Sequence, residues 1–96
     1  MLYGYFSFTK SQISYYFNMK QIIYDKLTKN EKIKLVATTK DEEIIHQAFY
    51  DQDLDVKLAL CQNELLPLGK LKRFTNDKNI LLKQKAIEVY ERRLIY

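Results

Sequence analysis

Asp53-Leu54-Asp55-Val56-Lys57-Leu58-Ala59-Leu60-Cys61 is the stretch on which the fold turns. Read as a helix over residues 54–63, it carries two apolar stripes. Val56, Ala59 and Leu60 form one, and Leu54, Leu58 and Cys61 form the other. A helix apolar over that much of its circumference is packed between neighbours rather than laid on a surface. Asp53 stands where a side-chain oxygen can accept a bond from an unpaired amide of the first turn.

Helical spacing continues on both sides. Upstream, Thr39 and Glu42 have the spacing of a capping box. The helix they open buries Ile44, Ile45, Ala48 and Phe49. Before it, Asn30 is the expected cap of a short helix burying Ile33, Val36 and Ala37. A first helix is expected over residues 11–27, with Ile13, Tyr16, Phe17, Ile23, Tyr24 and Leu27 near one face. Downstream, Pro67 suits a first helical turn, where a missing amide costs nothing. Leu68, Leu71 and Phe74 are expected to bury after it. A last helix over residues 80–94 places Leu82, Ala86, Val89, Tyr90 and Leu94 at helical period, with Glu88 and Arg92 as an i,i+4 pair.

The chain of 96 residues has two glycines, Gly4 and Gly69, and one proline, Pro67. An all-β chain needs a turn every 8–12 residues or so, and turns draw on both residue types. Their scarcity therefore points to an all-α fold. The expectation is five to six helices stacked as antiparallel pairs.

Two stretches repeat. Asp51-Gln52-Asp53-Leu54-Asp55-Val56-Lys57 and Asp77-Lys78-Asn79-Ile80-Leu81-Leu82-Lys83 lie 26 residues apart, each an acidic break running into a helix. A fainter copy places Ile33-Lys34 in the matching position. This order over residues 31–96 resembles HEAT-like helical repeats and the bacterial variant leucine-rich repeat. Asp51, Val56, Lys57, Ala59 and Pro67 carry the resemblance, and Asp77, Leu82, Lys83 and Ala86 partly repeat it. Lysine stands where those families usually have arginine, and the repeats differ in length. The resemblance implies a short right-handed helical-repeat stack serving as a binding scaffold, because stacking is what buries each pair's apolar face.

Residues 1–18 are of another kind. They hold Tyr3, Tyr5, Phe6, Phe8, Tyr15, Tyr16 and Phe17, with Lys10 the one charge. They read either as an aromatic extension docked on a helical-repeat domain over residues 19–96, or as an extension upstream of a start at Met19.

Several chemistries find no foothold. The single cysteine, Cys61, forms no internal disulfide and no cysteine-based zinc site. Asp51, Asp53 and Asp55 have the opening spacing of a calcium loop, but Val56 occupies the position of its glycine and Gln62 that of its bidentate glutamate. They read as caps. His46 and Cys61 are each the only one of their type, so no pattern supports a nucleophile and base. Cys61 reads as a core residue and His46 as a surface one. No catalytic residue, metal ligand or cofactor is expected. No apolar run reaches the roughly 18–20 residues of a membrane span, and the expected location is the cytoplasm.

Charge is segregated. Residues 1–40 carry a net +5, residues 41–66 a net −6, and residues 67–96 a net +5. The expected function is a non-enzymatic protein-interaction module contacting partners through a concave face and aromatic ends, with self-association as a dimer one form of it. The candidate surface comprises Lys70, Lys72, Arg73, Lys83, Arg92, Arg93, Tyr3 and Tyr5. Two alternatives are a nucleic-acid binder using the C-terminal basic band, and a small accessory or inhibitor protein of a mobile element. The band holds three arginines, few for phosphate recognition, which favours the planar guanidinium.

Overall fold

The computed structural model describes residues 23–95. The aromatic segment 1–18, with Tyr3 and Tyr5, and most of the helix expected over residues 11–27 lie outside the described residues. Residues 23–26 are helical. Five complete helices follow: α1 (Lys29–Thr38), α2 (Glu42–Phe49), α3 (Leu54–Cys61), α4 (Leu68–Phe74) and α5 (Ile80–Ile95). There is no strand among the described residues. The chain is all-α and forms a short helical stack.

Every second helix packs on the next. α1 lies on α3 and α3 on α5, so these three make one layer. α2 packs on α3 and, less closely, on α1, while α4 packs on α5. The latter two meet through stacked rings of Phe49 and Phe74, whose centroids are 4.7 Å apart. Because α3 touches α1, α2 and α5, both of its stripes are used. Val56, Leu60 and Cys61 are buried, and Leu54, Leu58 and Ala59 are half-buried against the core. Ile44, Ile45, Ala48, Phe49, Leu66, Leu71, Phe74, Leu82, Ala86 and Val89 complete most of that core.

The two stretches 26 residues apart make matching hydrogen bonds. Asp53 Oδ1 accepts from the Val56 amide at 3.2 Å, and Asn79 Oδ1 accepts from the Leu82 amide at 3.2 Å. Before each cap, an aspartate grips the cap's own amide. Asp51 Oδ1 accepts from Asp53 at 2.8 Å, and Asp77 Oδ2 from Asn79 at 2.9 Å. The fainter upstream copy is not in register, since Ile33 stands five residues after its cap, Thr28, and Val56 three residues after Asp53.

Other boundaries differ from the sequence reading. Thr28, not Asn30, caps α1. Its hydroxyl accepts from the Glu31 amide at 3.2 Å, and the Glu31 carboxylate accepts from the Thr28 amide at 2.8 Å. Glu31 sits at the third helical position only when Thr28 is the cap, and this reciprocity decides the boundary. The expected box of Thr39 and Glu42 does not form. Thr39 ends α1 and accepts the Asp41 amide, while Asp41 caps α2 through the Glu43 amide at 2.9 Å. Pro67 stands one position before α4, and its carbonyl accepts from Lys70 and Leu71. Helix α3 stops at Cys61 rather than at residue 63. Ile23, Leu68 and Leu94, expected to bury, are exposed.

Gly69 sits inside α4, and a Cβ built there meets nothing within 4 Å. Gly69→Ala is therefore expected to stabilise the protein by about 0.5–1 kcal/mol, through higher helix propensity and a less free unfolded chain. A higher urea midpoint at unchanged slope is the result to look for.

Candidate functional site

The basic side chains of the candidate surface are not equivalent. Lys70 and Arg73, one turn apart on α4, converge on α2. The Lys70 ammonium lies 4.7 Å from the Phe49 ring centroid and 5.7 Å from that of Tyr50. It also lies 3.5 Å from His46 Nδ1. The Arg73 guanidinium lies 5.4 Å from the Phe49 centroid. These are cation–π distances. His46 and Tyr50 meet edge to face, as do Phe49 and Tyr50. Lys72, on the same helix, is exposed, and so is Lys83 on α5.

Arg93 serves the fold. Its guanidinium donates to the Leu66 carbonyl at 2.7 Å and the Glu64 carbonyl at 3.1 Å, pinning the α3–α4 loop to α5. Arg92 stands 3.7 Å from Glu88, the pair expected from the sequence. Among the candidate residues, Lys70 and Arg73 are thus brought together, whereas Arg92 and Arg93 are held by other groups.

The acidic middle segment is partly neutralised. Lys29 pairs with Asp55 at 2.6 Å and lies 3.7 Å from Asp53, while Lys32 lies 3.7 Å from Asp51. Of the three aspartates only Asp53 caps a helix; Asp51 accepts from the Asp53 amide and Asp55 pairs with Lys29. Among the described residues, no group of three or more His, Cys, Asp or Glu side chains is placed to hold a metal ion. No helix among them is long and apolar enough to cross a membrane.

Two titratable groups are locked into the fold. The Tyr24 hydroxyl donates to Asp51 Oδ2 at 2.8 Å. Burial first, and then this bond to a carboxylate, pushes the Tyr24 phenol well above its ordinary value. For Asp51, burial alone works upward. The Asp53 amide, the Tyr24 hydroxyl and the Lys32 ammonium outweigh it and hold the carboxyl below the ordinary carboxylate range. A depressed carboxyl stabilises the fold above its unfolded pKa, and that contribution fades as pH falls through the folded value. Between about pH 6 and about pH 3 the wild type should therefore lose stability more steeply than Tyr24→Phe, which lacks the phenol's bond. Thermal melts across that range would show parallel curves if the bond were idle. Cys61 is buried on α3, and burial pushes its thiol up to about 11. It stays protonated at neutral pH and is a poor nucleophile.

A largely apolar depression among the described residues is one the sequence did not single out. It runs across the three-helix layer, lined by Ile33 of α1, Leu58 and Ala59 of α3, and Leu81 of α5. Asp55, Gln62 and Lys85 form its polar rim. Leu81 is 62% exposed. The sequence signal was the second stripe of α3, whose Leu54 and Leu58 are half-buried because no described residue closes over them.

Comparison with protein families, with curated proteins and with solved structures finds no match to this chain.

Proposed function

We propose that the chain is a non-enzymatic protein-interaction module, a short helical-repeat scaffold that receives an amphipathic helix of a partner protein. One observation carries this reading: the apolar trough of Ile33, Leu58, Ala59 and Leu81, shared by three stacked helices. An amphipathic helix lays its apolar face into such a depression, with anchors three or four residues apart. Asp55 at the trough's rim is paired with Lys29, and Lys85 stands 3.8 Å from Glu88, so the apolar row rather than a free rim charge selects the partner.

The engagement of Lys70, Arg73, Arg92 and Arg93 within the fold favours this reading over phosphate binding. The test uses a partner captured on the full chain and then purified. Leu81→Asp is expected to weaken its binding at least tenfold, as loss of a central apolar anchor does, with an unchanged melting curve. Full affinity after Leu81→Asp would sink the proposal. So would binding that is carried by nucleic acid, falls steeply with salt and depends on Lys70, Lys72 and Arg73.

A further inference from the structure

Helix α5 is the last described helix, and it carries aliphatic side chains on two sides. Leu82, Ala86 and Val89 face the core. The opposite side carries Ile80, the half-buried Ile87 and Leu94, seven residues apart and therefore almost in line along the helix. Ile80 is 66% exposed, Leu94 59%, and the adjoining Ile95 75%. A helix side that faces water is ordinarily polar. This one presents an aliphatic seam about 24 Å long.

The charges beside the seam indicate what covers it. Lys83 and Glu91 lie on the same side of α5 as Ile87, one four residues before it and the other four after. Neither has an ion-pair partner among the described residues. A two-fold axis beside Ile87 sets each residue of one copy opposite its mirror position in the other. Ile80 then meets Leu94, Ile87 meets itself, and Lys83 meets Glu91, each unlike pair occurring twice. A parallel arrangement in register would instead set Lys83 against Lys83 and Glu91 against Glu91. Only the antiparallel pairing satisfies both the seam and its charges.

We infer that α5 is a self-association face, on which a second copy of this chain docks its own α5 antiparallel, joining two stacks end to end. This isologous contact uses a different side of α5 from the trough and stands independently of the proposed function. A single helix pair is small by the measure of stable interfaces, so the dimer forms in the micromolar range.

Sedimentation equilibrium of the full chain, from about 1 µM to about 300 µM, tests it. The mass should double across that range. Leu94→Asp, at an exposed position, should stay monomeric while keeping its helical circular dichroism. Lys83→Glu alone and Glu91→Lys alone should each weaken the dimer about tenfold, since each turns two attractive pairs into repulsive ones. The double variant, Lys83→Glu with Glu91→Lys, restores the pairs with reversed sense and should return to near the original affinity. A monomer at every concentration overturns the inference. So does a dimer indifferent to Leu94→Asp, or a double variant weaker than either single one.

Discussion

Replacing Asn63 by alanine is expected to lower the unfolding free energy by about 3 kcal/mol, because it leaves buried polar groups unpaired. Asn63 is only 3% exposed. Its amide group donates to the Val36 carbonyl at 2.9 Å and to the Thr39 carbonyl at 2.8 Å. Its side-chain oxygen accepts from the Leu65 amide at 2.8 Å. The last carbonyls of any helix lack partners within it, and α1 ends at Thr38. Asn63 therefore caps the C-terminus of α1 from the loop that follows α3, and holds that loop as well. Alanine strands all three backbone groups in a region where Val36 and Leu66 are fully buried.

The sharper variant is Asn63→Asp. Its carboxylate would face two carbonyl oxygens with nothing to donate, so at neutral pH it should be less stable than the alanine variant. A carboxyl in such surroundings has a raised folded pKa, so the deficit should shrink as pH falls and the group gains a proton. Urea unfolding of both variants at neutral and mildly acid pH reads the difference. Equal deficits at both values would mean that solvent reaches the site.

Asn63 also marks where reading the chain as text runs out. Its acceptors lie 27 and 24 residues upstream, and no local pattern connects an asparagine after one helix to the end of another. Arg93 is alike, since its carbonyl partners are 27 and 29 residues away. The apolar faces of α2 and α3, and the cap at Asp53, were legible because each depends on residues within one or two turns. The α1 cap was legible in principle. Thr28 and Glu31 have the same spacing as Thr39 and Glu42, and two such motifs compete for one rule. The second lost because Asp41, closer to the helix, supplied the cap while Thr39 was already ending α1. Leu68 and Leu94 failed for another reason: period alone assigns a residue to a face without saying whether a neighbour covers that position. On the candidate surface the basic residues were legible but their partners were not. That Lys70 and Arg73 share one ring depends on α4 packing beside α2, which no spacing encodes.

That shared ring yields the other large expectation. Phe49→Ala should cost about 3–5 kcal/mol, the range for truncating a buried phenylalanine. Phe49 is buried, stacks on Phe74, and is the direct bridge between α2 and α4. Truncation loses apolar area and the contacts of both rings, and the gap lies between two short helices. Phe49→Leu separates packing from charge. Leucine refills much of the volume, so its cost should be smaller, about 1–2 kcal/mol, yet it offers no π face to Lys70 and Arg73. Upfield ring-current shifts should be lost for Arg73 in the leucine variant and reduced for Lys70, which keeps Tyr50 at 5.7 Å.

A cycle of Phe49→Leu with Lys70→Met then isolates the cation's share, expected at about 0.5–1 kcal/mol for a partly exposed site. A coupling of zero would mean that Lys70 passes over the ring without holding it and is free for a partner. A positive coupling assigns Lys70 to the joint between the layers. A basic residue so committed contributes to binding only by leaving Phe49, and any ligand of this surface must overcome that energy first.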